Sequence, residues 1–200
     1  MDPVLAKEGT ARARLLEAGI NLFAEKGYAG TSVREIVSRA GVTKPVLYYY
    51  FKSKEGMFRF ILDWAAERQE AMLKEVLETP GTVLDRLIYL YRRIYQGVLE
   101  KQNLFKMIHN LIFGPPRGAP EYDYQAYQVR LVKAIKAIYA EGLAAGEVKA
   151  ADPEEVAVLV LGLIDFCFHL AQAQPESSDP ELPDRLLRLA FRGLGRGEGD

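Results

Sequence analysis

Between Thr31 and Lys54 the chain reads TSVREIVSRAGVTKPVLYYYFKSK, two short helix signals on either side of a glycine turn. Elements this short bury too little apolar surface to be a core, so they must pack on a neighbour and keep one face outward. Ser32 and Glu35 have the S-x-x-E spacing of a capping box, which starts a helix at Thr31 or Ser32. Val33, Ile36, Val37 and Ala40 then share one face, and Gly41 stops the helix because glycine accepts the left-handed conformation. Val42 is expected to be a buried pivot and Thr43 a cap. Pro45 fits only within a first helical turn, so the second helix is predicted over Lys44 to Phe51. Leu47 and Phe51 face inward, leaving Lys44, Val46, Tyr48, Tyr49 and Tyr50 outward. Three consecutive tyrosines cannot all be core, since helical neighbours differ by about 100°. A helix of this size with a basic and aromatic outer face has the dimensions to enter a DNA major groove.

Charge is placed to match. The 200 residues carry a net charge of −1, which argues against bulk coating of nucleic acid, but residues 1–60 hold ten Lys/Arg against six Asp/Glu. The remainder holds sixteen against twenty-one, so the basic end is the end with the helix pair, as phosphate contact requires. At 49% hydrophobic residues the chain can bury a core. One cysteine, Cys167, excludes an internal disulfide. No signal peptide is expected, no apolar run is long enough for a membrane span, and a cytoplasmic protein with no membrane association is expected.

The stretch resembles the DNA-binding domain of TetR-family transcriptional regulators. The residues carrying the resemblance are Leu22-Phe23-Ala24-Glu25-Lys26-Gly27-Tyr28, Gly30-Thr31-Ser32, Glu35-Ile36, Ala40-Gly41-Val42-Thr43 and Leu47-Tyr48-Tyr49-Tyr50-Phe51-Lys52-Ser53-Lys54. It covers roughly residues 10 to 60, and Pro45 departs from the small residue common at its position. The resemblance implies an all-α fold, with a three-helix helix-turn-helix domain over residues 1–52 and a helical ligand-binding and dimerisation domain over 53–200. It also implies a homodimer paired through its last two helices on a palindromic double-stranded operator, with repression as the family's usual mode. Tyr48 and Tyr50 match family positions whose hydroxyls reach phosphates. Lys44 and Tyr49 are candidates for base edges, with Val46 beside a thymine methyl. Lys54 is expected on a phosphate together with the N-terminus of the fourth helix. Thr31, Ser32 and Arg34 are expected to touch the backbone across the groove, and Thr43 completes the set of DNA-binding candidates.

Past this unit the chain reads as helices, about nine in all. The first is expected over about 10 to 27, with Leu16, Ile20 and Phe23 on one face. The fourth runs from a Ser53 cap to about Glu78, the fifth from Thr79-Pro80 to near Lys101, and the sixth from about Asn103 to Phe113. GPPRGAP, residues 114–120, breaks the pattern. A seventh helix is expected from Glu121 to Ala145, stopping at Gly146, and an eighth from the Asp152-Pro153-Glu154-Glu155 start. PESSDPELP, 175–183, is a second break, a ninth helix takes Asp184 to about Leu194, and 195–200 is expected to fray.

The eighth helix, VAVLVLGLIDFCFHLA, is apolar almost all round and should be buried on both sides. Leu186, Leu187, Leu189, Ala190 and Phe191 overload the ninth in the same way. Pairing both with their copies in a second chain solves this as a four-helix bundle; a central core helix of a monomer is the alternative. The middle of the chain is rich in aromatics that suit a hydrophobic effector, an aromatic compound or a fatty acyl thioester, although more than half are expected to be ordinary packing. The candidate ligand contacts are Tyr91, Tyr95, Phe105, Ile108, His109, Phe113, Tyr124, Tyr127 and Phe166. An effector between the fourth and seventh helices would act by shifting the fourth. Enzyme chemistry finds no footing: there is no Gly-rich phosphate loop, nucleophile elbow or H-E-x-x-H, and no cofactor is implied. Asp165 and His169 share a face of the eighth helix, yet no third metal ligand is apparent in the sequence. An all-helical enzyme or carrier, and a non-specific architectural DNA binder, are the rival readings.

Overall fold

Local capping chemistry marks where most of the helices start. A computed structural model describes residues 9–114, 118–173, 179 and 181–194, apart from the side chains of 171–173 and 193–194. Among the described residues there are nine helices and no strand: α1 (Ala11–Lys26), α2 (Val33–Ala40), α3 (Lys44–Phe51), α4 (Lys54–Glu78), α5 (Val83–Glu100), α6 (Gln102–Phe113), α7 (Ala126–Ala144), α8 (Pro153–Ala173) and α9 (Leu182–Leu194). No described helix is long and apolar enough to cross a membrane. Part of the 114–120 break, most of the 175–183 break and the whole 195–200 tail lie outside the described residues.

Three of the expected boundaries move. The fifth helix starts at Val83, not at Thr79-Pro80. Thr79 turns its hydroxyl back onto Glu75 O at 2.8 Å, Gly81 takes the turn at φ 132°, and Thr82 and Asp85 form the reciprocal cap instead. The seventh starts at Ala126 rather than Glu121, because Tyr122 and Tyr124 are used as loop braces: Tyr122 donates to Asp63 Oδ1 at 3.0 Å and Tyr124 to Pro120 O at 2.5 Å. The ninth starts two residues early, at Leu182, where Asp179 takes the Glu181 N–H at 2.9 Å.

The chain divides into two compact units, residues 1–68 with 101–125, and residues 69–100 with 126–200. Helix α4 thus contributes its first turns to one and its last turns to the other. In the first unit α1 buries a broad face, Leu15, Leu16, Ala18, Gly19, Leu22, Phe23 and Ala24, while Ile20 is half-buried. Gly19 makes room for the tip of the Met57 side chain of α4, since a Cβ there would stand 2.5 Å from Met57 Cε. The second unit has a core of Leu73, Val76, Leu87, Leu90, Tyr91, Ile135, Ile138, Tyr139, Val160, Leu187 and others. The fully buried Tyr139 hydroxyl donates to Lys149 O at 2.7 Å and accepts from Ala151 N, pinning the turn before α8. Buried Arg86 joins helices there, donating to Leu77 O at 2.8 Å and pairing with Glu141.

Candidate nucleic-acid interface

The helix pair that dominates the sequence is assembled from local signals. Ser32 Oγ accepts from Glu35 N at 3.2 Å and Glu35 Oε2 accepts from Ser32 N at 2.9 Å, so the capping box forms in full. Gly41 ends α2 at φ 62°, ψ 40°, and Arg14 of α1 donates Nε to Ala40 O at 2.9 Å, satisfying one of the last carbonyls of α2. Ile36, Val37 and Ala40 are buried as the spacing demands; Val42, expected to be buried, is half-buried. Thr43 takes the N-cap backbone conformation of α3, but its hydroxyl makes no capping bond. Leu47 and Phe51 turn inward at 0% and 5% exposure.

What remains outward is a compact polar and aromatic face. Tyr48, Tyr49 and Tyr50 are 46%, 74% and 40% exposed, large values for aromatic side chains. Tyr49 and Tyr50 meet edge to face with ring centroids 5.0 Å apart, which limits the freedom of both rings. Arg34, Thr43 and Lys44 are exposed around them, and Val46 is half-buried. Ser32 is also exposed, but its hydroxyl donates to Glu35 Oε2 at 2.8 Å. Hydrogen bonds from Lys26 and Ser32 hold the Glu35 carboxyl down at a pKa of about 2. Arg39 is engaged by Glu25 at 2.8 and 3.2 Å.

Two residues named from the sequence face the other way. Thr31 is 2% exposed, and its hydroxyl reaches Gly27 O at 2.8 Å and Leu22 O at 3.2 Å. A hydroxyl has one proton, so Thr31 has no donor left for a phosphate and acts as a brace between α1 and α2. Lys54 Nζ donates to Tyr28 O and Thr31 O, both at 2.8 Å, and lies 3.9 Å from the centroid of the Tyr28 ring. Burial alone pushes its pKa below the usual lysine value. Nothing in the local sequence marks either arrangement, because the partners are backbone carbonyls up to 26 residues away.

The joint between α3 and α4 is tight. Lys52 ends α3 at φ 66°, ψ −35°, and Ser53 N donates to Phe51 O at 2.7 Å, closing a one-residue turn that is strained for any side chain. Gly56 packs against the same carbonyl, since a Cβ there would sit 2.1 Å from Phe51 O. Ser53 caps α4 as expected, accepting from Gly56 N at 2.9 Å.

The nine candidate ligand contacts are divided between the units. Phe105, Ile108, His109 and Tyr124 are half-buried in the first, and Phe113 is exposed there. In the second, Tyr91 and Tyr95 stack at 5.9 Å and line a cavity of about 20 Å³ with Cys167, Leu170, Asp179, Leu182 and Pro183. That volume suits about one water. Tyr127 is buried, its carbonyl accepting from Gln69 of α4 at 3.1 Å, and Arg130 of α7 donates to Gln69 at 2.9 Å. Phe166 is 58% exposed, on an open stripe of α8 with Val158, Leu159 and Gly162; Leu189 of α9 is also exposed. Within one chain, then, α8 is covered on one side only, by Val156, Ala157, Val160 and Cys167 facing inward. His169 Nδ1 lies 3.6 Å from Asp165 Oδ2, one turn away.

Comparison with known proteins agrees with this geometry. Residues 15–61 match the family model described as bacterial regulatory proteins, tetR family. The transcriptional repressor KstR2 of Mycobacterium tuberculosis is 32% identical over 102 residues, 49% of this chain and 49% of that protein. The chain thus spans about half the length of the curated relatives it matches. Among solved structures, the TetR-family regulator PfmR from Thermus thermophilus superposes with a TM-score of 0.70 at 23% identity, covering 96% of this chain and 98% of that one. The regulator FadR from Bacillus subtilis, in complex with stearoyl-CoA, gives 0.69 at 20% identity over 90% and 98%. At such identities these structures speak for the fold. Over residues 15–61, then, the chain is similar to the TetR family of bacterial regulatory proteins.

Proposed function

We propose that the chain is a sequence-specific DNA-binding transcriptional regulator, a repressor released from a palindromic operator by a hydrophobic small molecule. The observation that carries this reading is the outer face of α3. Three adjacent tyrosines and Lys44 stand in solvent on a helix whose inward face, Leu47 and Phe51, already accounts for its packing. Desolvating that much aromatic surface against a duplex is favourable, whereas leaving it in water serves no purpose in folding. The exposed Lys44 and Tyr49 suit base edges, Val46 suits a thymine methyl, and the Tyr48 and Tyr50 hydroxyls suit phosphates.

Residues 1–52 form the DNA-binding domain in this reading, and 53–200 the effector and dimerisation domain of a cytoplasmic protein. The open stripe of α8, together with Leu189, is the surface a second copy would cover, giving two recognition helices for two half-sites. An effector, an aromatic compound or a fatty acyl thioester, would enter near α4 and α7 and loosen the Gln69 link to Tyr127 and Arg130. It would weaken DNA binding only by its differential affinity for the two arrangements of α4. The stearoyl-CoA bound to FadR makes fatty acyl thioesters the first effectors to test. Selection of bound duplexes from a random pool, followed by titration of acyl-CoA thioesters against the selected complex, tests both halves. No enriched sequence would remove the DNA reading, and no release would remove the thioester reading.

A further inference from the structure

We propose that Lys54 is a positioning residue, a latch that fixes the recognition helix α3 against α1, and not a ligand for phosphate. This rests on the DNA-binding reading of α3. Lys54 is the first residue of α4, three positions past the end of α3. Its ammonium donates to Tyr28 O and Thr31 O at 2.8 Å each, and the Tyr28 ring lies beneath it at 3.9 Å. Two carbonyls and an aromatic face are a complete seat for a cation.

The seat is built into the turn between α1 and α2. Gly27 begins it at φ 73°, Thr31 N donates to Tyr28 O at 3.3 Å, and the Thr31 hydroxyl ties the turn to Gly27 O and Leu22 O. Gly30 leaves no space for a side chain, since a Cβ would stand 2.5 Å from Lys26 O. The Tyr28 ring is itself held, 6.0 Å from Phe23 and 4.9 Å from Phe58 by ring centroids. Swinging Lys54 out to a phosphate would strip a donor from both carbonyls, one of them belonging to buried Thr31.

The consequence falls on α3, which lies between the two ends of the latch. The Phe51–Ser53 turn and Gly56 leave no slack where α3 meets α4. The Lys54 link to Tyr28 and Thr31 closes the loop, so the tilt of α3 is set by where the α4 N-terminus is held.

The test compares Lys54→Met, which keeps the stem and removes the donors, with wild type and with Lys44→Met on the selected operator and on unrelated duplex. Affinities are measured across a salt series, at temperatures well below each variant's own midpoint. A latch predicts that Lys54→Met loses roughly tenfold in operator affinity, far less on unrelated duplex, with the wild-type salt slope. Lys44→Met, by contrast, should alter base preference. A phosphate ligand would instead lower the salt slope by about 0.9 and weaken both duplexes alike, which overturns the proposal. A lower melting temperature with unchanged operator affinity also overturns it, because the residue would then serve folding alone. If Lys54→Met fails to fold, Tyr28→Leu removes the aromatic floor and leaves both carbonyls. It should show the same loss of discrimination at constant slope, and wild-type discrimination would refute the latch. Failure of the underlying reading is separable: wild-type protein with no preference for any duplex shows it before a variant is made, and overturns both.

Discussion

Phe166 offers the sharpest quantitative handle on assembly. It is 58% exposed on α8, on the same open stripe as Val158 at 63% and Leu159 at 41%, with Leu189 of α9 at 62%. Complete burial of a phenylalanine side chain is worth about 3 kcal/mol, so covering the 58% that remains exposed contributes about 1.7 kcal/mol per copy. A two-fold interface counts each side chain twice. Phe166→Ala should therefore weaken the dimer by about 3.5 kcal/mol, roughly 300-fold in dissociation constant. Differences between variants are sounder than absolute sums, since the entropy cost of association cancels between them. Sedimentation equilibrium across nanomolar to micromolar protein reads the shift. Tyr49→Ala, at a still more exposed aromatic off this stripe, serves as the control and should leave association unchanged. A wild-type chain that sediments as a single subunit throughout, or a Phe166→Ala variant that associates as tightly as wild type, refutes the reasoning.

Three further outcomes follow from particular side chains. Tyr49→Ala should cost about 1–3 kcal/mol on the preferred operator while leaving affinity for unrelated DNA nearly intact, measured by competition between operator variants. Lys52→Gly should stabilise the protein by about 1 kcal/mol, because φ 66° strains a lysine and not a glycine, even after the greater backbone freedom glycine loses on folding is set against it. Thermal melts check this, and an unchanged or lower midpoint counts against strain at the joint. Glu35 has a folded pKa near 2, below the ordinary carboxylate value, so its capping contribution is complete above about pH 4.5 and is lost as pH falls toward 2. Protection of the Ser32 and Glu35 amides, corrected for intrinsic exchange, should fall through that window and stay flat above it.

How much was legible in the sequence depends on how local the chemistry is. The limits of α2, α3 and the start of α4 could be read because Ser32–Glu35, Gly41 and Ser53 act within four residues of themselves. The start of α5 was misplaced because Thr79-Pro80 is an attractive cap pair, yet Thr82 and Asp85, also three apart, carried the better signal. No local signal marked the true start of α7. Tyr122 and Tyr124 leave the helix for tertiary and loop bonds, and one of those partners, Asp63, is 59 residues away. The same reason hid the roles of Thr31 and Lys54. A lysine at this place reads in sequence as a phosphate ligand, while its carbonyl partners Tyr28 and Thr31 are visible only in the structure. The apolar excess of α8 was plain, but composition could not say which half faces its own core. The structure separates Val160 and Cys167, which are buried, from Val158 and Phe166, which are not.

The central claim is that α3 reads a defined duplex sequence twice over, and selection of bound DNA from a random pool tests it most directly. The account predicts enrichment of a single inverted repeat, half-sites about one helical turn or a multiple of it apart, with changed base preference when Lys44 or Tyr49 is replaced. A pool that stays random after repeated rounds, or an enriched site without two-fold symmetry that is indifferent to both substitutions, would contradict it.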